Sequence, residues 1–201
     1  MRIITVQHLE VLNSILQNGI YEKLDDDHIM TNGPKLYDIV KQGERRPIFG
    51  ISKLEDGSIP ESIDTFNLQR LSDFGARVLP GSVIFIVDIP DEEVILTDFY
   101  NWSDRLYFES EFGDIETVDD CDESCKDEYL QLKNADFYKI IPDRDIQAIF
   151  HSISISNIIE YKEITDIYFN QNIINRFPHL DPLYYDKLLD KARERLGLWI
   201  L

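Results

Sequence analysis

Residues 2–7, RIITVQ, alternate apolar with polar positions and are rich in β-branched side chains, which predicts a strand. In the following LEVLNSILQNGI, Leu9, Leu12, Ile15 and Leu16 recur at helical spacing, and Gly19 stands where a left-handed cap would end the helix. After the polar YEKLDDDHIMTNG, Pro34 opens a short predicted helix in PKLYDIVKQG, and RRPIFGISKL reads as a second strand. Residues 55–76 are mixed and loop-like, with a short helix expected around SIDTFNLQRL. GSVIFIVDIP is the clearest strand, because its unbroken apolar run suits a position between two other strands. A turn at DEE and a strand in VILTDF follow. YNWSDRLYF is expected to be helical with Trp102, Leu106 and Tyr107 inward.

Farther on, DFYKII reads as a short extended piece and IQAIFHSISI as a longer strand, within a run that alternates from Asp145 to Ile164. The end of the chain, DPLYYDKLLDKARERLGL, predicts a helix. Asp181 would be its N-cap, Pro182 its first residue, and Leu183, Leu188, Leu189, Ala192 and Leu196 its apolar stripe. The order strand, helix, helix, strand, several strands and then helices predicts an α+β fold: one domain over residues 1–201 with a split, mostly antiparallel sheet flanked by helices. Within it, 109–128 form an acidic excursion and 160–201 a helical part whose last helix packs back on the sheet.

Composition adds limits. Apolar residues make up 43% of the 201, enough to fill a core. No apolar run approaches the length of a membrane span, and Gln7, His8 and Glu10 interrupt any signal-peptide core at the start. Two cysteines give no disulfide framework, so a reducing, cytoplasmic setting is expected. The net charge is −18, and ESEFGDIETVDDCDESCKDE at 109–128 contributes ten acids against one lysine. That run reads as a solvated loop. Coating of DNA or RNA needs Lys and Arg set against phosphates. No basic stripe is available for it, although a local pocket for one nucleotide is compatible with the sequence.

The chain has no Walker loop, Gly-rich dinucleotide turn or nucleophile elbow. Cys121 and Cys125 would share a helix face, but a structural zinc needs four ligands and no His is near in sequence. Asp25, Asp26 and Asp27 lack the alternate spacing and distal Glu of a calcium loop. His8, His28, His151 and His179 are too scattered to form a ligand set, so no metal is expected.

The succession RIITVQHLEVLNSILQNGI, KLYDIVKQGERRPIFGI, IPDEEVILTDFYNW and DIQAIFHSISISNI resembles a bacterial family catalogued as domain of unknown function 3841. That family opens with a Thr-x-Gln strand, matched by Thr5 and Gln7. Its Tyr-Asp-Trp helix is matched at Tyr37 and Asp38, with Ile39 in place of tryptophan. Its Pro-Ile-Trp strand corresponds to Pro47, Ile48 and Phe49, and its Leu-Ser-Asp-Phe-x-x-Trp element to Leu96, Thr97, Asp98, Phe99 and Trp102. Its Ile-Gln-Ala-Thr-Phe-Trp strand corresponds to Ile146, Gln147, Ala148, Ile149, Phe150 and His151. The likeness spans about residues 2–160 in order. The family name carries no established activity. More distantly, the first strand, the Leu-x-x-Ile-Leu-x-x-Gly helix and IFIVDIPDEEVIL are similar to ADP-ribosyltransferase-like domains. In their DNA-modifying branch a glutamate orients the nicotinamide ribose, and the matching position here is Ile149.

The resemblance implies a nucleotide-like ligand, with NAD a candidate cofactor, and chemistry impaired by the missing carboxylate. It would gather Thr5, Gln7, Trp102, Gln147 and His151 in one pocket, with Arg46 or Arg70 at its rim to meet a phosphate. Gln147 would reach Gln7, Trp102, Phe49 or Tyr37 would stack a flat ring, and His151 would be the acid–base group. A carboxamide can read a base or amide edge. Asp98 could stand in for the lost acid, or serve as a helix N-cap. Against this stands an ordinary half-buried strand whose Gln147 and His151 have satisfied hydrogen bonds. A third expectation comes from the charge: an acidic module that mimics nucleic acid and binds a basic protein partner.

Overall fold

A computed structural model describes residues 1–22, 39–40, 42–66, 80–112, 123, 126–127, 130–131, 134–136 and 138–165. It is an α+β structure whose strand ladders are mostly antiparallel. The chain divides into two compact units. One contains Met1, Glu22–Ile59 and Ile89–Ser152, and the other contains Arg2–Tyr21, Pro60–Asp88 and the segment from Ile153 onward.

The second unit is built on β1 (Arg2–His8), β4 (Ser82–Asp88) and β8 (Ile158–Glu163), with β4 in the middle. The apolar run of β4 is explained by that position: Val83, Ile84, Phe85, Ile86 and Val87 are all fully enclosed. Their neighbours Ile3 and Ile4 on β1 are enclosed as well, so both faces of this strand pair are dry. Helix α1 (Leu9–Asn18) follows β1 directly, and the Leu9 N–H donates to the Gly81 carbonyl at 2.9 Å. The helix buries Val11, Leu12 and Ile15, whereas Leu16, assigned to the stripe by spacing, is 57% exposed. Spacing fixes the period of the stripe but leaves its centre uncertain by about one residue, and here Val11 takes the inner place. Gly19 ends the helix as expected, in the left-handed conformation at φ 79° with its N–H on the Ile15 carbonyl.

The first unit holds β3 (Ile48–Lys53), β5 (Ile95–Asp98) and β6 (Ile146–Phe150), with β6 in the middle. Helix α2 (Phe99–Phe112) begins immediately after β5. Its Trp102 packs with Val40 and Ile149, and Phe49, Ile95 and Leu106 close around them.

Three further differences from the sequence reading have physical causes. The long strand expected in IQAIFHSISI is divided at His151, which bends the chain between β6 and β7 (Ser152–Ser154). β7 pairs with β2 (Ile20–Glu22) rather than with the partners of β6, and alternation cannot register a change of partner. A short 3₁₀ turn at Ile155–Asn157 then leads into β8, which the sequence reading had not separated from the same run. Part of the acidic run is helical, not loop: α2 continues through Glu109–Phe112, and Glu123, Lys126, Asp127, Leu130 and Gln131 are helical too. Glu and Lys are good helix formers, so charge density alone does not argue against a helix. DFYKII is not a strand among its described residues, since Tyr138 lies in a turn and Lys139 in a bend.

Of the helix predicted from Pro34, residues 34–38 and 41 lie outside the described residues, Ile39 is helical, and Val40, Gln42 and Gly43 form a bend, a bridge to Arg45 and a turn instead. The part of SIDTFNLQRL beyond Phe66 and the C-terminal helix with its apolar stripe also lie outside the described residues. So do Tyr37, Arg70, Cys121 and Cys125. Among the described residues, no helix is long and apolar enough to cross a membrane, and no group of three metal-ligating side chains is assembled.

Candidate functional site

Registry places the polar residues of β6 before any chemistry is considered. Thr97 on β5 and Ile51 on β3 are both paired with Gln147, while Ile95 and Phe49 are both paired with Ile149. Side chains alternate across a strand, so Thr97, Gln147, Ile95, Ile149 and Phe49 share one face. Trp102 and Val40 cover the apolar part of that face. The polar part is left to a threonine and a glutamine set directly opposite each other.

Both are buried, and their side chains satisfy each other only in part. Gln147 Nε2 donates to Thr97 Oγ1 at 3.1 Å. The Gln147 carbonyl oxygen has no partner among the described residues. At the other end of β6, His151 Nε2 lies 2.7 Å from the Val40 carbonyl oxygen. A carbonyl can only accept, so Nε2 carries the proton and the second ring nitrogen, Nδ1, is left for another partner. Nδ1 has no partner among the described residues. The strand therefore carries two buried acceptors without a partner among the described residues. They are separated by four residues of chain, roughly 13 Å if the extended rise held throughout, with the apolar Ile149 between them.

The other predicted residues are placed as follows. Trp102 is 2% exposed and its ring is packed against Phe49, with centroids 5.8 Å apart, so its faces are taken by the core rather than open to a ligand ring. Thr5 and Gln7 belong to the second unit, where Gln7 Nε2 donates to Thr5 Oγ1 at 2.9 Å. Each glutamine binds a threonine of its own unit. Arg46 is half-buried in the first unit, just before β3. Asp98 is the N-cap of α2: its Oδ1 accepts the Asn101 N–H at 3.0 Å.

Around Asp98 lies a second group that the sequence did not single out. Arg144 Nη1 approaches Asp98 Oδ1 at 3.4 Å, and the Arg144 guanidinium stands 5.7 Å from the centre of the Tyr100 ring. The Tyr100 hydroxyl donates to Asp145 Oδ2 at 3.0 Å and, more distantly, faces Glu55 Oε2 at 3.5 Å. Asp145 is buried, and its Oδ1 accepts the Glu55 N–H at 2.7 Å. Of these residues only Asp98 carried a sequence signal. Arg144, Asp145 and Glu55 come together through β3–β6 pairing, which connects positions about ninety apart.

Compared with family models, curated proteins and solved structures, the chain matches none.

Proposed function

We propose that the first unit is a ligand-binding domain for a small, flat, nucleotide-like molecule, derived from an ADP-ribosyltransferase-like fold and without efficient transferase chemistry. The observation that carries this reading is the incomplete pairing on β6. Gln147 is held by Thr97 yet keeps a carbonyl free, and His151 is held by Val40 yet keeps a ring nitrogen free. Polar atoms in a buried strand cost free energy unless paired, and a ligand bearing N–H groups would supply the missing donors. Binding sites of this kind are mostly apolar with a few convergent polar groups. NAD is the cofactor to test first, since the sequence resemblance points to it.

Ile149 supports the absence of turnover. It is fully enclosed against Trp102 and Val40, an environment suited to an aliphatic chain and hostile to a carboxylate. The bland alternative, a structural strand whose free acceptors are met by water, makes the opposite prediction. Thermal-shift measurements with NAD, ATP and a short oligonucleotide, repeated on Gln147→Ala, separate the two. The proposal expects at least one nucleotide to raise the midpoint of the native chain and to lose that effect in the variant. No shift with any of them would refute it. Consumption of NAD by the native chain, lost in His151→Ala, would overturn the no-turnover part and assign His151 a catalytic role.

A second reading rests on the charge of −18: an acidic module that binds a basic protein without catalysis.

A further inference from the structure

We infer that Asp98, Tyr100 and Arg144 form a guanidinium-recognition site, in which Arg144 is an internal placeholder for an incoming arginine side chain. This site stands apart from the proposed ligand face on β6 and does not depend on it. A carboxylate holds a guanidinium best through two parallel N–H···O bonds, one to each oxygen, at about 2.7–2.9 Å. Asp98 falls short of that arrangement. Its Oδ1 is shared between the Asn101 N–H at 3.0 Å and Arg144 Nη1 at 3.4 Å. Its Oδ2 is enclosed and has no partner among the described residues, although the residue is only 1% exposed. The acid thus has both of its donors on one oxygen and none among the described residues on the other.

Arg144 shows which chemistry the surroundings accept. Its guanidinium lies over the Tyr100 ring at 5.7 Å, while its side chain remains 41% exposed. A part-exposed arginine held by one 3.4 Å ion pair and one ring face is held loosely and can be exchanged. The Tyr100 ring is itself fixed, because its hydroxyl donates to Asp145. A guanidinium from outside could take the same aromatic face and give a second N–H to Asp98 Oδ2, with Arg144 swinging into solvent. Lysine is a poorer fit, because a compact ammonium cannot present two parallel donors. The surplus of acids over bases, 38 against 20, would draw a cationic partner towards the chain.

The test is calorimetry on the full chain with N-acetylarginine amide, an uncharged-ended peptide containing one arginine, and their lysine counterparts. Arginine should bind at least about tenfold more tightly than lysine, because only it completes the two-bond geometry. Arg144→Ala should tighten arginine binding by several-fold through loss of the internal competitor. Asp98→Asn, which preserves the helix cap, should weaken it by at least about tenfold with little change in thermal midpoint. Tighter binding of the peptide than of the amide would identify a polypeptide partner, and equal binding a small guanidinium compound. Equal affinity for arginine and lysine, no binding, or an Arg144→Ala variant that binds no better would each overturn the inference. If Asp98→Asn failed to fold, the arginine preference and the Arg144→Ala result would still decide it.

Discussion

β4 and β6 are both middle strands of antiparallel ladders, yet their buried side chains differ in chemistry. In β4 five consecutive residues, Val83 to Val87, are fully enclosed and none carries a polar side chain. In β6, Ala148, Ile149 and Phe150 are as deeply buried, but Gln147 sits beside them and His151 follows. Equal burial with unequal polarity means that β6 bears a desolvation cost that β4 does not. An apolar residue at position 147 would bury as well without demanding partners. In β4 the enclosed positions are all apolar, while β6 combines an apolar core with two buried polar side chains, Gln147 and His151.

The largest way to break the comparison is in β4. Phe85→Ala should lose about 3–5 kcal/mol, since it removes an enclosed aromatic ring from the dry interior. Chemical denaturation would report it, and a loss below about 1 kcal/mol would contradict the assignment of β4 as close-packed core. Gln147→Leu is expected to cost less, about 1–3 kcal/mol, because it leaves the enclosed Thr97 hydroxyl without its partner. The double variant Gln147→Leu with Thr97→Val sharpens the contrast. Removing both partners should restore stability to within about 1 kcal/mol of the native chain, while any nucleotide-induced thermal shift disappears. A double variant no more stable than Gln147→Leu alone would mean that the pair does structural work beyond its own bond.

The smallest effect is in the second unit and concerns pH. Burial, followed by the nearby Glu10 carboxylate, raises the pKa of Tyr21 above its ordinary 10.0. The raised value means that the folded chain resists ionisation of this phenol. The associated stability is fully present below pH 10 and is lost as pH rises through the folded pKa. Alkaline unfolding should therefore begin above pH 10 and be blunted in Tyr21→Phe. Identical alkaline profiles for the two proteins would remove Tyr21 from the account.

Much of this was legible in the chain, and the rest was not for identifiable reasons. β1, α1 with its Gly19 cap, β4 and the Asp98 cap each follow from local chemistry, because the determining residues are neighbours in sequence. Spacing places Leu12 and Ile15 correctly in the stripe of α1 but assigns Leu16 to it and misses Val11. Gln147 and His151 were recognisable as polar residues in an apolar strand, but their partners were not. Thr97 is 50 residues from Gln147, and the Val40 carbonyl is 111 residues from His151. A backbone carbonyl carries no residue-type signal at all. The Asp98–Arg144–Tyr100 group was hidden for a related reason, since strand register rather than any motif brings it together.

The central claim is that the free acceptors on β6 serve a ligand, whereas β4 serves only the core. It is tested most directly by nuclear magnetic resonance of the full chain during titration with NAD and ATP. The side-chain NH₂ of Gln147, the ring nitrogens of His151 and the backbone amides of β4 would be followed together. The account predicts that at least one nucleotide shifts the Gln147 and His151 signals in a saturable way and moves His151 Nδ1 towards a hydrogen-bonded value, with the amides of Val83 to Val87 unchanged. Silence at Gln147 and His151 with both nucleotides, or shifts confined to the second unit, would contradict it.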